Sequence, residues 1–169
     1  MKLSDLNRAD RAQFVAALGD VFEHSPWVAE AAWSVRPFAS VADLHAAMVD
    51  AVNHAAPEQQ LALIRAHPEL AGKAAVRGEL TAASTAEQSG AGLNACSPQE
   101  FERLQALNAS YNAKFGFPFI LAVRGYDRVG IIAEFERRVG HTVDEERAEN
   151  LRQIGRIAAF RLHSLIEDA

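Results

Sequence analysis

The chain has 169 residues, a formal net charge of −5, 49% hydrophobic and 23% charged residues. That mixture suits one globular domain with a real core and excludes a disordered or fibrous segment. No long basic run is present, so nucleic acid is excluded as the main partner, and a small anionic substrate must be met by local cations. The one cysteine, Cys96, excludes an intramolecular disulfide and a thiolate metal cluster, and reads as a small packing residue.

In chain order, Met1–Asp10 is charged and lacks the apolar run of a signal peptide. No stretch approaches a membrane span. No membrane association is expected, and the expected compartment is the cytoplasm. Ser25-Pro26 reads as a cap and a first-turn proline before a helix over 27–35. Ser40 is placed to cap a helix over 41–54, and Pro57 to open one to Ala66. The stretch 71–80, with Gly72, Lys73, Arg77 and Gly78, reads as a surface loop. The segment 81–91 suits a helix. Ser97-Pro98-Gln99-Glu100 is a capping box that opens a helix running to about Lys114. Tyr126 to Arg138 is helix-like and ends at Gly140. A second capping box, Thr142 to Glu145, opens the longest helix, ending near Glu167, with Leu151, Ile154, Ala158, Leu162 and Leu165 in one stripe.

One stretch breaks the helical pattern. Phe115-Gly116-Phe117-Pro118-Phe119-Ile120-Leu121-Ala122-Val123 is apolar, short and interrupted by proline, and no second strand exists to pair with it. It is expected to be a buried extended connector near 115–124, whose main chain must find partners elsewhere, a ligand among them. With abundant alanine and few β-branched residues, the expected fold is all-α: a single domain over 1–169, built as a bundle of about seven to nine helices.

Three groups stand out chemically. His67 precedes Pro68, which pushes its backbone out of helix, and comes after the apolar Leu61 and Ile64. It therefore projects from a helix end near the core, where it reads either as a cap or as an acid–base group. Ser84, Glu87 and Gln88 fall at i, i+3 and i+4 on one helical face among small residues, within reach of one ligand. Arg161 sits in the apolar stripe of the last helix, three residues after Ala158. It either snorkels to the surface or pairs with an anion, for which its planar fork suits a carboxylate. None of the six histidines belongs to an HExxH pair, so no metal site is signalled. GxGxxG, a phosphate loop and GxSxG are all missing from the sequence, so no cofactor is expected and a serine hydrolase is disfavoured.

Four blocks carry a resemblance to a known family. They are His67-Pro68-Glu69-Leu70; Leu80-Thr81 through Ser84, Glu87, Gln88 and Ala91-Gly92-Leu93; Asn108–Tyr111 with Lys114–Ile120; and the helix holding Ile154, Ile157, Arg161 and Leu162. In this order and spacing the chain, from about Phe14 to Ile166, resembles 2-oxo-4-hydroxy-4-carboxy-5-ureidoimidazoline (OHCU) decarboxylase. The resemblance implies an all-α fold, often a homodimer, and conversion of OHCU to (S)-allantoin and carbon dioxide without a cofactor. It implies His67 as catalytic acid/base, and Glu87 is expected to pair with it in orienting the substrate hydroxyl and managing its proton. It further implies Pro68, Ser84, Gln88, the main chain of Phe119, Ile120, Leu121, Ala122 and Val123, and Arg161 as substrate contacts. Two other readings of the same residues stay open: a ureide or amide hydrolase using His67 and Glu87 to activate water, and a non-catalytic helical module that binds a ligand or partner.

Overall fold

The computed structural model describes residues 1–167, with Lys73 and Ala74 described by their helical backbone alone. The fold is all-α. The described residues form ten α-helices and one 3-10 turn, with no β-strand beyond an isolated bridge between Lys2 and Glu167. The count exceeds the expected seven to nine because short helices form where the sequence carries little periodicity. One is α6 (Lys73–Arg77), in the stretch expected to be a surface loop.

The helices fall into two compact units. The first holds α1 (Leu3–Arg8), α2 (Arg11–Leu18), α3 (Trp27–Trp33), α4 (Val41–Asn53), α5 (Pro57–Ala66) and the end of α10 (Val143–Leu165) from Ile154 onward. Phe14, Leu18, Val28, Leu44 and Met48 are fully buried in it. Asp10 and Gln13 form a capping box on α2, and Ser40 Oγ accepts the Asp43 N–H at the start of α4 as expected. Ser25 does not cap α3. Its hydroxyl donates to the Glu23 carbonyl at 2.8 Å, and Pro26, which has no side-chain acceptor, occupies the cap position one residue later than expected.

The second unit, residues 67–153, holds α6, α7 (Ala82–Gly90), the 3-10 turn Leu93–Ala95, α8 (Pro98–Phe115), α9 (Arg128–Val139) and the first part of α10. Both predicted capping boxes form, at Ser97/Glu100 and at Thr142/Glu145. Asp127 caps α9, which starts two residues later than its apolar pattern suggests. Gly116, in the left-handed region at φ 77°, ends α8 and releases the chain into residues 117–123, all buried and in neither helix nor strand. Aromatic packing fixes this connector. Phe119 stacks on Phe135 of α9 at 3.9 Å between centroids, and the Tyr111 ring of α8 meets both edge-on.

Candidate active site

The first component is the loop that begins at His67. Pro68 ends α5 at Ala66, as its effect on the preceding backbone requires. The His67 ring is buried, with 6% of the residue exposed, while Pro68 and Glu69 are half-buried. The loop main chain is tied down by amide side chains from two helices. From α7, Gln88 Oε1 accepts the Ala71 N–H at 3.0 Å, and Gln88 Nε2 donates to the Glu69 carbonyl at 3.3 Å. From α8, Gln105 donates to the Ala71 carbonyl at 2.6 Å and Asn108 to the Leu70 carbonyl at 3.0 Å, while Asn112 donates to the Glu69 carboxylate. Ala71 is held at φ 50°, a left-handed conformation that residues with a Cβ rarely adopt, and is bonded at both its N–H and its carbonyl. Gly72 is required beside it, since a Cβ there would lie 2.7 Å from Glu69 Cβ. Two buried side-chain atoms, His67 Nε2 and Asn108 Oδ1, make no hydrogen bond among the described residues, although His67 is engaged otherwise.

The second component is the polar face of α7. Thr81 caps the helix through the Ser84 N–H at 3.2 Å, which sets the phase of the turns beyond it. Ser84 and Gln88, one turn apart, are the buried residues of α7, and Glu87 beside them is half-buried. The single face read from the sequence therefore forms. Gln88 reaches the His67 loop through its oxygen and one amide N–H, which joins two of the predicted components directly.

The third component is the connector, whose main chain finds its partners on α9 and α10. Asn150 Oδ1 accepts the Ile120 N–H at 3.0 Å, and Gln153 Oε1 accepts the Ala122 N–H at 3.0 Å. Asn150 Nδ2 donates to the Pro118 carbonyl at 3.0 Å, and Arg138 to the Ile120 carbonyl at 2.6 Å. Behind them, Glu146 accepts from Arg138 Nε at 2.8 Å and from the Tyr111 hydroxyl at 2.6 Å, and lies 2.9 Å from His141 Nδ1. Arg138 and Glu146 are fully buried. Burial, then the hydrogen bond to Glu146 and its charge, push the Tyr111 phenol far above its usual range.

In the first unit, the Arg161 guanidinium pairs with the buried Glu23 at 3.1 Å and donates to the carbonyls of Asp20 and Val21 at 3.4 and 3.3 Å. It does not snorkel: it is 7% exposed. Cys96 donates to the Leu93 carbonyl. Burial, then the charge of Glu100, push its thiol up against the opposing pull of Arg128, the wrong direction for a nucleophile. Among the described residues no group of three or more His, Cys, Asp or Glu is placed to hold a metal ion, and no helix is long and apolar enough to cross a membrane.

Sequence reasoning missed Gln105, Asn112, Arg138, Glu146 and Gln153. Of these, Arg138 alone repeats the pattern that singles out Arg161, a cation in register with the buried apolar residues of its own helix; the others lie beside or away from the apolar stripes of their helices.

Residues 7–163 match the family described as OHCU decarboxylase. A Haloferax volcanii protein named 2-oxo-4-hydroxy-4-carboxy-5-ureidoimidazoline decarboxylase is 46% identical over 162 residues, covering 96% of this chain and 94% of that protein. A Halalkalicoccus jeotgali protein of the same name is 44% identical over 166 residues, covering 98% and 92%. The crystal structure of an (S)-allantoin synthase aligns with a TM-score of 0.78 at 32% identity over 98% of this chain, which spans 54% of that longer chain.

Proposed function

The chain belongs to the OHCU decarboxylase family, and on that premise we propose how its residues carry the reaction. The protein is a carboxy-lyase of urate degradation that converts OHCU to (S)-allantoin and carbon dioxide. Decarboxylation leaves an electron pair that needs a sink. The substrate supplies its own, a ring C=N beside the carbon that loses the carboxylate, so the reading requires no cofactor. The carbon–carboxyl bond breaks, its electron pair enters the ring, and the ring nitrogen takes a proton. The resulting enol then loses its hydroxyl proton while the neighbouring carbon gains one and becomes the stereocentre.

His67 and Glu87 form the acid–base pair in this scheme. They orient the substrate hydroxyl and take its proton, and His67 returns one to a single face of the ring. Pro68 and Ser84 line the substrate, and the ureido group is held by the Ser84–Gln88 face and the main chain of Phe119 to Val123. Arg161 enters the scheme as anion partner on the family resemblance alone; within the first unit its fork holds Glu23 and the carbonyls of Asp20 and Val21. The observation that carries the reading is the support of His67: a buried imidazole on a loop tied to two helices by four amide side chains. Such rigidity suits positioning of a substrate that also decays spontaneously, without stereocontrol. The active form is a cytoplasmic homodimer, which sedimentation velocity would contradict by showing a monomer.

The test generates OHCU in situ from urate and tracks circular dichroism with carbon dioxide trapping. The protein should accelerate formation of optically active allantoin, and His67→Asn should lower the rate by about 10²–10⁴-fold with the fold intact. Release of ammonia or urea would instead support the hydrolase. Binding without turnover would support the non-catalytic module.

A further inference from the structure

We infer that Gln153 and Asn150 are positioning residues for this reaction: from α10, their side-chain carbonyls stand in for a neighbouring strand against the connector and thereby turn its opposite main-chain edge to the substrate. The bonds that tie the connector fall at Pro118, Ile120 and Ala122. That period of two is the period of an extended chain, in which main-chain groups of successive residues face opposite edges. One edge is filled by Asn150, Gln153 and Arg138. The other edge carries the main-chain groups of Phe119 and Leu121 and the N–H of Val123. The Val123 carbonyl closes the next turn, accepting the Tyr126 N–H at 2.9 Å.

The two amides cannot rotate freely. Gln153 Nε2 donates to Glu149 at 2.8 Å, which aims Oε1 at Ala122. Asn150 Oδ1 also accepts from Arg138 at 2.8 Å, which leaves Nδ2 for Pro118. Their i, i+3 spacing stacks them on one helical face. Both are buried, Asn150 completely and Gln153 at 4% exposure. Buried amides are costly unless matched, and these are matched to a buried segment that lacks secondary structure.

This inference rests on the proposal that the connector touches substrate, and the experiment separates the two. In the wild-type protein, amide NMR resonances are monitored while (S)-allantoin is added. Those of Leu121 and Val123 should move most, and those of Ile120 and Ala122 least. The largest movement at Ile120 and Ala122 would overturn the edge assignment while keeping the connector as a contact. No movement from 119 to 123 would overturn both. Gln153→Met, which removes the acceptor at similar volume, should raise KM about tenfold with kcat little changed. A lower melting temperature with an unmoved KM would make Gln153 merely structural and overturn its positioning role. Should that variant not fold, the wild-type resonances still decide.

Discussion

Among the described residues, each unit buries an arginine against a glutamate, and the two pairs serve different amounts of structure. In the first unit, Arg161 and Glu23 clamp one turn: the guanidinium takes the carbonyls of Asp20 and Val21 beside the carboxylate. In the second, Arg138 and Glu146 are the hub of a larger set that also includes Tyr111, Asn150, His141 and the Ile120 carbonyl. In both cases a planar fork satisfies carbonyls of a segment without regular structure, which is what such a segment needs when buried. The difference is the number of groups orphaned if the pair breaks. A buried ion pair is weak evidence for net stability, yet removing one partner is costly because the other charge stays behind.

The largest expected effect therefore comes from Glu146→Gln. Arg138 would keep a buried charge without its counter-ion, at a cost of about 3–5 kcal/mol in urea unfolding. The connector would lose its brace as well, so the remaining folded protein should turn over OHCU poorly. Glu23→Gln should cost less, roughly 1–3 kcal/mol, because its pair with Arg161 is slightly less buried and Glu146 also accepts from Tyr111 and meets His141, so more groups lose a charged partner in the second unit. If Glu23→Gln proves as destabilising as Glu146→Gln, the contrast between clamp and hub fails.

The same contrast shows how far the sequence could be read. Arg161 is conspicuous because it interrupts the stripe of Ile154, Ala158 and Leu165. Arg138 obeys the same arithmetic, three residues after Phe135 and seven after Ile131, but it lies in the last turn of α9, where a basic residue passes as ordinary complement to the helix dipole. The all-α class, the capping boxes and the buried connector were legible because caps, proline and apolar runs act locally. His67, its loop and the α7 face were legible from spacing and from the family resemblance. The amides that hold them were not, since a glutamine at 105 or 153 reveals its partner only when segments distant in sequence are brought together. Ala71 shows the limit most clearly: nothing local marks an alanine for a left-handed backbone, and two long-range hydrogen bonds impose it.

Tyr111→Phe sharpens the hub by removing one spoke. It should cost roughly 1 kcal/mol at neutral pH, because Glu146 keeps Arg138. The variant also has a signature in pH. Burial first, and then Glu146, raise the folded-state pKa of Tyr111 above the unfolded value of about 10. Its contribution is thus full below about pH 10 and is lost as pH climbs beyond it toward the folded-state value, since only the unfolded chain ionises easily there. Wild-type stability should fall more steeply above pH 10 than that of Tyr111→Phe, in paired urea titrations. Parallel curves would mean that the phenol is not held as the hub requires.

The smallest effect is expected at the solvent end of the hub. His141 lies 2.9 Å from Glu146 but has a third of its side chain exposed, and Arg137 stands 3.3 Å from its other ring nitrogen. Solvent screens such a contact, and Glu146 retains Arg138 and Tyr111 without it. His141→Asn should therefore cost less than about 1 kcal/mol, with the KM for OHCU unchanged. A larger loss, or a shifted KM, would place the brace of the connector at the surface end of the chain of contacts rather than at its buried arginine. The hub would then be no better shielded from solvent than a surface pair, and the distinction from the clamp on Arg161 would have to rest on the connector alone.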